Sequence, residues 1–270
     1  MPSTSGLITF TSDFGSGWYA GAMRGAALAV NPRATLVDIT HAVSPQNILE
    51  GAFALAAGCE AFPDGAVHVA VIDPGVGTAR SALVIETARA FFVGPDNGVL
   101  TLAAPPAARR AARLLENPRY FRNSPSATFH GRDLFAPVAA HLSLGADPVD
   151  FGSPAGAIEE LALPPALRDG DGWVGEVLLA DCFGNLITNL PGGLLAGPAG
   201  SWEAWLGERP LGPLRRTYGD TQPGEALALV GSHGYVEIAV SGDSAARCLG
   251  EGSVRPQVRG LAMRLRMRNA

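Results

Sequence analysis

The feature that most constrains the fold is an apolar run that stops at a carboxylate and is followed by a flexible turn. Residues 66–72 consist, apart from one histidine, of Ala, Val and Ile, which is typical of a buried strand in a parallel sheet. Asp73 follows directly, and the turn continues to Arg80. Because ligands of open α/β sheets bind beyond the carboxyl ends of strands, we expect Asp73 to face a crevice. The alternative is an Asp-Pro turn closed by a structural ion pair between Asp73 and Arg80.

The same pattern occurs once earlier in the chain. Residues 7–12 predict a first strand, which ends at Asp13 and a glycine-containing turn. Residues 18–30 then carry apolar side chains at helical spacing up to an Asn-Pro pair, which ends a helix. The same criteria predict a second strand at 34–39 and a second helix at 46–62. They also predict a hairpin formed by strands at 81–86 and 90–93. Strands that alternate with helices indicate an α/β domain with a mainly parallel central sheet.

The periodicity changes in the second part of the chain. Residues 153–171 are rich in Pro, Gly and Ala and predict an interdomain linker. Beyond them, Gly-rich turns separate short apolar stretches, at 173–181, 226–230 and 235–240, which is typical of a small all-β sandwich or barrel. We therefore expect an N-terminal α/β domain at 1–160 and a smaller all-β C-terminal domain at 172–270.

Composition excludes several classes of protein. A formal net charge of -5 without a basic stripe gives no electrostatic footprint for nucleic acid. No segment is long and apolar enough to cross a membrane, and no basic region followed by an apolar core begins the chain, so we expect a cytoplasmic protein. Three widely spaced cysteines argue against both a disulfide framework and a Cys-based zinc cluster.

Several polar residues fall on predicted strand ends and loops, namely Asp13, Asp73, Arg80, His130, Asp181, Asn185 and Ser232. No metal-ligand spacing, phosphate-binding loop, dinucleotide fingerprint or serine-hydrolase elbow accompanies them. His130 precedes a helix predicted at 134–142, for which Asp133 is the expected cap. Each residue also has a structural interpretation: His130 as a backbone partner, Asp13 as a turn residue, and Asp181 with Asn185 as a β-turn.

Five motifs together resemble the S-adenosyl-L-methionine (SAM) hydroxide adenosyltransferases, the SAM hydrolases related to fluorinase and chlorinase. They are DPGVGTAR at 73–80, PDNG at 95–98, FHGRD at 129–133, DCFGN at 181–185 and SHGY at 232–235, and the segments 11–15 and 38–41 extend the likeness. The resemblance implies an α/β domain, a barrel-like β domain, and a homotrimer with active sites between neighbouring subunits. It also implies that Asp73, Arg80 and His130 activate water, with His130 suited to receive its proton.

The reaction implied is hydrolysis of SAM to adenosine and L-methionine by in-line attack on ribose C5′, with no metal or organic cofactor. The resemblance assigns Asp13 to the ribose hydroxyls, Asp181 to the methionine ammonium, Asn185 to adenine, Ser232 and His233 to the methionine carboxylate, and Phe129, Phe183 and Glu237 to the same pocket. Two alternatives remain, a halide-dependent adenosyl transferase and a non-catalytic SAM or adenosine binding protein. Asp73, His130 and Gly131 differ from the halogenase pattern and favour water, while Gln46 and Ala20 replace a tryptophan and a serine of fluorinase.

Overall fold

Two sheets, one in each part of the chain, organise the structure, a computed structural model in which residues 4–250 and 258–268 are described. The chain divides into two units between Leu161 and Ala162. In the described residues no helix has both the length and the apolar character needed to cross a membrane.

The first unit is built on a mixed, mostly parallel sheet with helices on both faces. Its strands are β1 (Leu7–Ser12), β2 (Thr35–Thr40), β3 (Val67–Val71), β4 (Ala82–Thr87), β5 (Phe91–Pro95) and β6 (Arg109–Leu114), in the order β2-β1-β3-β5-β4-β6. Its helices are α1 (Trp18–Val30), α2 (Ile48–Cys59) and α3 (Ala136–Ser143), with 3₁₀ turns at Pro106–Ala108, Pro118–Tyr120 and Pro148–Phe151. The pairs β1–β2, β1–β3 and β3–β5 are parallel, whereas β4 is antiparallel to both of its neighbours. The predicted α/β class is confirmed.

Alternation along β3 divides the apolar core between the two faces of the sheet. Val67, Val69 and Val71 pack with α1 and α3, while Ala70 and Ile72 pack with α2. The side chain of Asn47 caps α2 by accepting from the backbone N–H of Glu50 at 3.2 Å, which is why the helix begins at Ile48. The predicted hairpin is the β4–β5 pair.

The second unit is a nearly closed antiparallel barrel. Its strands are β7 (Leu167–Asp169), β8 (Gly172–Ala180), β9 (Leu186–Pro191), β10 (Trp202–Leu206), β11 (Arg209–Pro213), β12 (Ala226–Val230), β13 (Tyr235–Val240) and β14 (Ala262–Met267). They follow the order β11-β10-β14-β8-β9-β13-β12, with β7 beside β8, and helix α4 spans Ala245–Leu249. Short 3₁₀ turns occur at Gly192–Leu194, Ala199–Ser201 and Tyr218–Asp220. A bridge between Arg215 and Leu229 brings the chain after β11 back to β12, so the sheet curls towards closure.

The boundary between the two units falls inside the linker predicted at 153–171, and residues on both sides of it are held by hydrogen bonds. Residues 167–169 form β7 rather than irregular chain, and they pair with β8. The first half of the linker is bound to the first unit, where the backbone N–H of Glu159 donates to Asp96 at 2.9 Å and that of Leu161 donates to Thr101 at 3.1 Å. A Pro- and Gly-rich segment can thus satisfy its backbone groups against neighbouring structure.

Candidate active site

The candidate site in the first unit lies where β1 and β3 end side by side. The two strands are parallel neighbours, and their register continues to Ser12 opposite Val71. Asp13 and Asp73 follow these strands, so both carboxylates reach the same edge of the sheet. A cavity of about 500 Å³, a volume typical of small-molecule sites, is lined there by residues that include both aspartates, Phe129 and His130. We call it the carboxyl-edge cavity.

Arg80 joins the two groups that the sequence placed in separate motifs. Its Nε donates to Asp73 Oδ1 at 2.8 Å, and its Nη2 donates to Asp73 Oδ2. The same Nη2 lies 2.7 Å from Nδ1 of His130. The Asp73 and Arg80 side chains are only 5% and 10% exposed, and the guanidinium lies 5.4 Å from the ring centre of Phe135. The predicted trio is therefore assembled at one point.

Arg80 also determines which nitrogen of His130 carries a proton. A guanidinium can only donate, so Nδ1 must accept and the neutral imidazole bears its proton on Nε2. Burial, followed by the positive charge of Arg80, holds the pKa of His130 below its ordinary value of 6.5. Near neutral pH, His130 is therefore an uncharged ring with an N–H donor on its Nε2 side.

The turn from Asp73 to Arg80 folds back because its backbone allows it. The N–H of Val76 donates to the carbonyl of Asp73 at 3.2 Å, and the N–H of Thr78 donates to that of Gly75 at 3.1 Å. Gly77 has φ +77°, and a Cβ at this position would come 2.5 Å from the carbonyl oxygen of Ala127. A side chain at Gly77 would thus collide with the loop that carries His130.

Asp133 is not the helix cap that the sequence predicted. It lies inside a π-helical turn, Gly131–Phe135, and is 1% exposed. Its carboxylate accepts from the backbone N–H of Ser126 at 2.8 Å, from Arg122 at 3.0 Å, and from two nitrogens of Arg132 at 2.7 and 2.8 Å. Burial would raise the pKa of Asp133, but hydrogen bonds from Arg132 and Ser126 hold it below its ordinary value. The cap prediction is wrong because α3 is preceded by this turn, and Asp133 instead anchors the loop before His130.

One of the two carboxylate oxygens of Asp13 is bound by the protein itself. Its Oδ2 accepts from the backbone N–H of Gln46 at 2.7 Å, and Gln46 has the unusual φ of +63°. Among the described residues, Oδ1 of Asp13 has no hydrogen-bond partner. One carboxylate oxygen therefore remains available at the carboxyl-edge cavity.

A buried polar network lies beneath the turn that carries Asp13. Oγ of Ser12 is 2.6 Å from Nδ1 of His41, and it accepts from the backbone N–H of Phe14 at 3.2 Å. The carbonyl of His41 accepts from the N–H of Gly15 at 2.7 Å. Nε2 of His41 lies 3.1 Å from Asp38 Oδ1 without the alignment of a hydrogen bond, and Arg24 pairs with the other oxygen of Asp38. His41 thus holds both sides of Asp13 in place.

Aromatic side chains form one wall of the cavity. Phe129, 7% exposed, packs edge-on against Phe14 and Tyr19, with ring centres 5.7 and 5.4 Å apart. The guanidinium of Arg132 lies 4.8 Å from the ring centre of Phe129. Trp18 stacks on Tyr19 at 4.0 Å but remains 64% exposed.

In the second unit, the turn between β8 and β9 holds three of the predicted residues. Asp181 Oδ1 accepts from the backbone N–H groups of Phe183 at 2.9 Å and Asn185 at 2.8 Å, and Oδ2 accepts from the Asn185 side chain at 3.0 Å. Gly184 has φ +84°, and a Cβ there would lie 2.1 Å from Oγ of Ser244. The structural interpretation of Asp181 and Asn185 as a turn is therefore correct, and any contact of Asp181 with substrate stays a prediction.

A cavity of about 580 Å³ adjoins this turn, and Phe183, Asn185 and Tyr218 are among the residues that line it. Phe183 is 76% exposed, whereas Asn185 is 8% exposed. Tyr218 carries no sequence signal of a binding role. Its segment shows only a capping box from Thr217 to Asp220, which predicts a helical turn.

The turn between β12 and β13 and the start of β13 hold the remaining predicted residues. Nδ1 of His233 accepts from the backbone N–H of Tyr235 at 3.2 Å, so Nε2 donates to Glu237 at 2.8 Å. The Tyr218 hydroxyl donates to the other oxygen of Glu237. Burial would raise the pKa of Glu237, but hydrogen bonds from His233 and Tyr218 lower it. Glu237 is 2% exposed and fixes the ring of His233, whereas Ser232 is exposed.

No set of three His, Cys, Asp or Glu side chains is placed to hold a metal ion within residues 4–250 and 258–268. The carboxylates of Asp13, Asp73 and Asp133 are bound to backbone N–H groups and arginines.

Comparison with known proteins decides the family. The model of the SAM hydroxide adenosyltransferase N-terminal domain matches residues 8–152, and that of the C-terminal domain matches residues 175–255. The chain belongs to the SAM hydroxide adenosyltransferase family. It is 44% identical over 255 residues to the (R)-S-adenosyl-L-methionine hydrolase of Thermus thermophilus, covering 90% of this chain and 95% of that protein. A crystal structure of an uncharacterized conserved protein from Thermotoga maritima superposes with a TM-score of 0.86 at 34% identity, covering 96% of this chain and 99% of that one.

Fluorinases are more distant relatives of this chain. The fluorinase of Nocardia brasiliensis is 27% identical over 279 residues, covering 88% of this chain and 92% of that enzyme. Among the SAM hydroxide adenosyltransferase motifs in this chain, FHGRD contributes both His130 and the buried anchor Asp133. The sequence alone did not identify Asp133 as a buried anchor. It also did not identify Arg122, which donates to Asp133, or Tyr218, which donates to Glu237.

Proposed function

We propose that this enzyme hydrolyses SAM to adenosine and L-methionine, with the nucleophile held beside Asp73, Arg80 and His130. The observation that carries the proposal is the single nitrogen of Arg80 that contacts both Asp73 and His130 at the edge of a cavity of nucleoside size. Methionine leaves a sulfonium as a neutral thioether, so the leaving group needs no acid. What the reaction needs is an oxygen nucleophile in line with C5′.

The tautomer of His130 defines its part in that reaction. Its Nδ1 lone pair is directed at Arg80, so the Nε2–H group donates to the attacking oxygen instead of taking its proton. A donor together with a nearby guanidinium favours hydroxide over water, because both stabilise negative charge. Attack by hydroxide forms the C5′–O bond as the C5′–S bond breaks. The cationic substrate and the anionic nucleophile thus give neutral adenosine and methionine, and the proton lost from water passes to solvent.

Asp73 allows a cationic substrate to approach Arg80. Its bidentate contact with the guanidinium offsets the positive charge that would otherwise repel the sulfonium. Asp13 is proposed to accept from the ribose hydroxyls through its available Oδ1, with Phe129 packing against the sugar. These roles need no metal or organic cofactor. Dialysis of the enzyme against a chelator should therefore leave the rate of SAM hydrolysis unchanged.

The second unit is proposed to recognise the two ends of the substrate. Asn185 and Phe183 line a cavity that suits adenine, Ser232 and His233 are assigned to the methionine carboxylate, and Asp181 to its ammonium. Glu237 is proposed to act by orienting His233. We further propose a homotrimer with active sites between neighbouring subunits, for which sedimentation equilibrium should give three times the 27.8 kDa chain mass.

One incubation tests the activity. Purified protein is incubated with SAM, and adenosine and methionine are followed by chromatography, with and without chloride or fluoride. Equal amounts of both products, independent of halide, are expected. A 5′-halogenated adenosine would instead indicate a halide-dependent transferase, and tight adenosine binding without turnover would indicate a binding protein.

A further inference from the structure

A second cavity of the first unit lies at the opposite edge of the sheet from the carboxyl-edge cavity. It has a volume of about 440 Å³ and is lined by residues that include Phe62, His68, Phe92 and Arg110. His68 is the second residue of β3, whereas Asp73 follows the end of that strand. Five residues of extended chain separate the two by roughly 16 Å. We call it the amino-edge cavity, and no step of the proposed reaction uses it.

The cavity contains a buried donor that has no hydrogen-bond partner in the part of the chain that the structure describes. His68 is 2% exposed and stacks on Phe92, with ring centres 5.1 Å apart. Its Nδ1 lies 2.7 Å from Oγ1 of Thr9, the neighbouring residue on β1. Among the described residues, Nε2 has no hydrogen-bond partner, yet it is not one of the side-chain atoms sealed from solvent. Since His68 lines the cavity, Nε2 opens into it.

Thr9 decides what this nitrogen offers to a ligand. Its hydroxyl is fully buried, and His68 Nδ1 is its hydrogen-bond partner among the described residues. The hydroxyl proton is satisfied when Nδ1 accepts it, which leaves the imidazole proton on Nε2. Burial, followed by the charge of Arg89, lowers the pKa of His68 to about 4, so the ring is neutral at physiological pH. The cavity floor therefore presents one N–H donor.

The rim supplies a positive charge. Arg89 and Arg109 line the cavity but are paired with Asp64 and Glu160. Arg110 is exposed on β6 and has no ion-pair or hydrogen-bond partner among the described residues. Glu60 also lies on the rim, and its charge acts on Arg89 and Cys59. Arg110 is thus a cation available to a ligand.

From these observations we propose that the amino-edge cavity binds a flat organic monoanion of the aromatic carboxylate class. Its ring packs against the side chains of Phe62 and Phe92, both of which contact the His68 ring. An acceptor at the inner end receives the Nε2–H of His68, and the carboxylate at the outer end pairs with Arg110. This site is independent of the proposed SAM hydrolysis.

Calorimetric titration with three related probes tests the proposal. 4-Hydroxybenzoate carries both groups, benzoate lacks the inner acceptor, and 4-hydroxybenzamide lacks the charge. We expect 4-hydroxybenzoate to bind at millimolar concentration or below. Arg110→Ala should weaken its binding about twofold to fivefold, as for an exposed ion pair, and leave that of the amide unchanged. His68→Phe should weaken the binding of 4-hydroxybenzoate about tenfold and leave the binding of benzoate unchanged.

Controls separate this result from folding and from catalysis. Arg119→Ala changes another exposed arginine, outside the lining of the cavity, and should leave every affinity unchanged. Arg110→Ala should hydrolyse SAM at the wild-type rate. Absence of binding by all three probes to the wild-type protein overturns the proposal, as does equal affinity of 4-hydroxybenzoate for the wild-type and Arg110→Ala proteins.

Discussion

At the scale of single residues, Arg80 constrains the chemistry of its neighbours. It satisfies both oxygens of Asp73 and occupies the Nδ1 lone pair of His130. Neither Asp73 nor His130 is therefore an unoccupied base. The sequence suggested that His130 receives the proton of water, and the hydrogen-bond geometry favours a donor role instead.

Two substitutions of His130 distinguish a donor from a base. Glutamine has an N–H donor but cannot take a proton near neutral pH, whereas alanine has neither property. We expect His130→Ala to lose roughly 10² to 10³ in kcat, as for removal of one charge-stabilising donor. His130→Gln should retain substantially more activity, measured as adenosine released. Equal losses in both variants would support proton transfer to His130.

The pKa of His130 provides an independent check. Burial and Arg80 lower this pKa, so the ring should titrate below pH 6.5 in an NMR experiment. Arg80→Gln removes one of these causes and should raise the pKa. Because protonation of Nδ1 would oppose the Arg80 contact, activity should fall as pH decreases through the same value. A ring that titrates above pH 6.5 in the wild-type enzyme would contradict this account.

At the scale of elements, two polar anchors hold the loops that line the carboxyl-edge cavity. Asp133 ties the backbone of Ser126 to Arg122 and Arg132, and thereby fixes the segment that ends at His130. His41 fixes the turn after β1 through Ser12 and Gly15. Such supports determine how tightly the reacting groups are oriented.

Asp133→Asn should weaken the first anchor. The amide keeps one acceptor oxygen but loses the charge that faces two arginines, so we expect the free energy of unfolding to fall by about 1 to 3 kcal/mol. Activity should fall as well, because His130 is less well held. Urea unfolding followed by circular dichroism measures the first effect. Asp64→Asn is a matched control, since its pair with Arg89 is exposed to solvent and contributes little to stability.

His41→Phe tests the second anchor. The ring shape is kept, but the contact with Ser12 is lost, and the turn that carries Asp13 loosens. Since Asp13 is proposed to bind ribose and not to react, we expect KM to rise while kcat changes little. His141→Phe, on α3, is the control. A fall in kcat at constant KM would place His41 in the chemical step instead.

At the scale of the whole molecule, the first unit has cavities at both edges of its sheet, and a residue proposed to bind a ligand or the nucleophile lies near each end of β3. Asp73 follows the end of β3, and His68 lies at its start. The cost of burying His68 as a neutral base should appear in the pH dependence of stability.

His68 has a folded pKa of about 4, below its ordinary value of 6.5. As pH falls below 6.5, the unfolded chain takes up a proton that the folded protein does not, so the free energy of unfolding decreases until about pH 4. The full loss is about 3 kcal/mol. Urea unfolding at several pH values between 7 and 5 should show a smaller decrease for His68→Phe than for wild type. Identical slopes would contradict the predicted protonation.

The sequence by itself determined the α/β class, the β4–β5 hairpin, α1 and the placement of Asp13 and Asp73 at strand ends. These follow from local periodicity and from turn residues such as Pro74 and Asn31, whose effects act over a few positions. It also carried the family motifs in full. The strands that escaped prediction are β6, β7, β9, β10, β11 and β14. They are short, and their pairing depends on partners distant in the chain.

Only the tertiary structure decided how the motif residues are used. Asp133 is an anchor and not a cap because it accepts from Ser126 and Arg122, 7 and 11 positions earlier in the chain, and Glu237 accepts from Tyr218, 19 positions earlier. Between the two interpretations of Asp181, the structure shows the turn. The tautomers of His130 and His68 follow from Arg80 and Thr9, which lie 50 and 59 positions away in the chain. A residue type fixes what a side chain is able to donate or accept, whereas the packed neighbours fix which of those options is used.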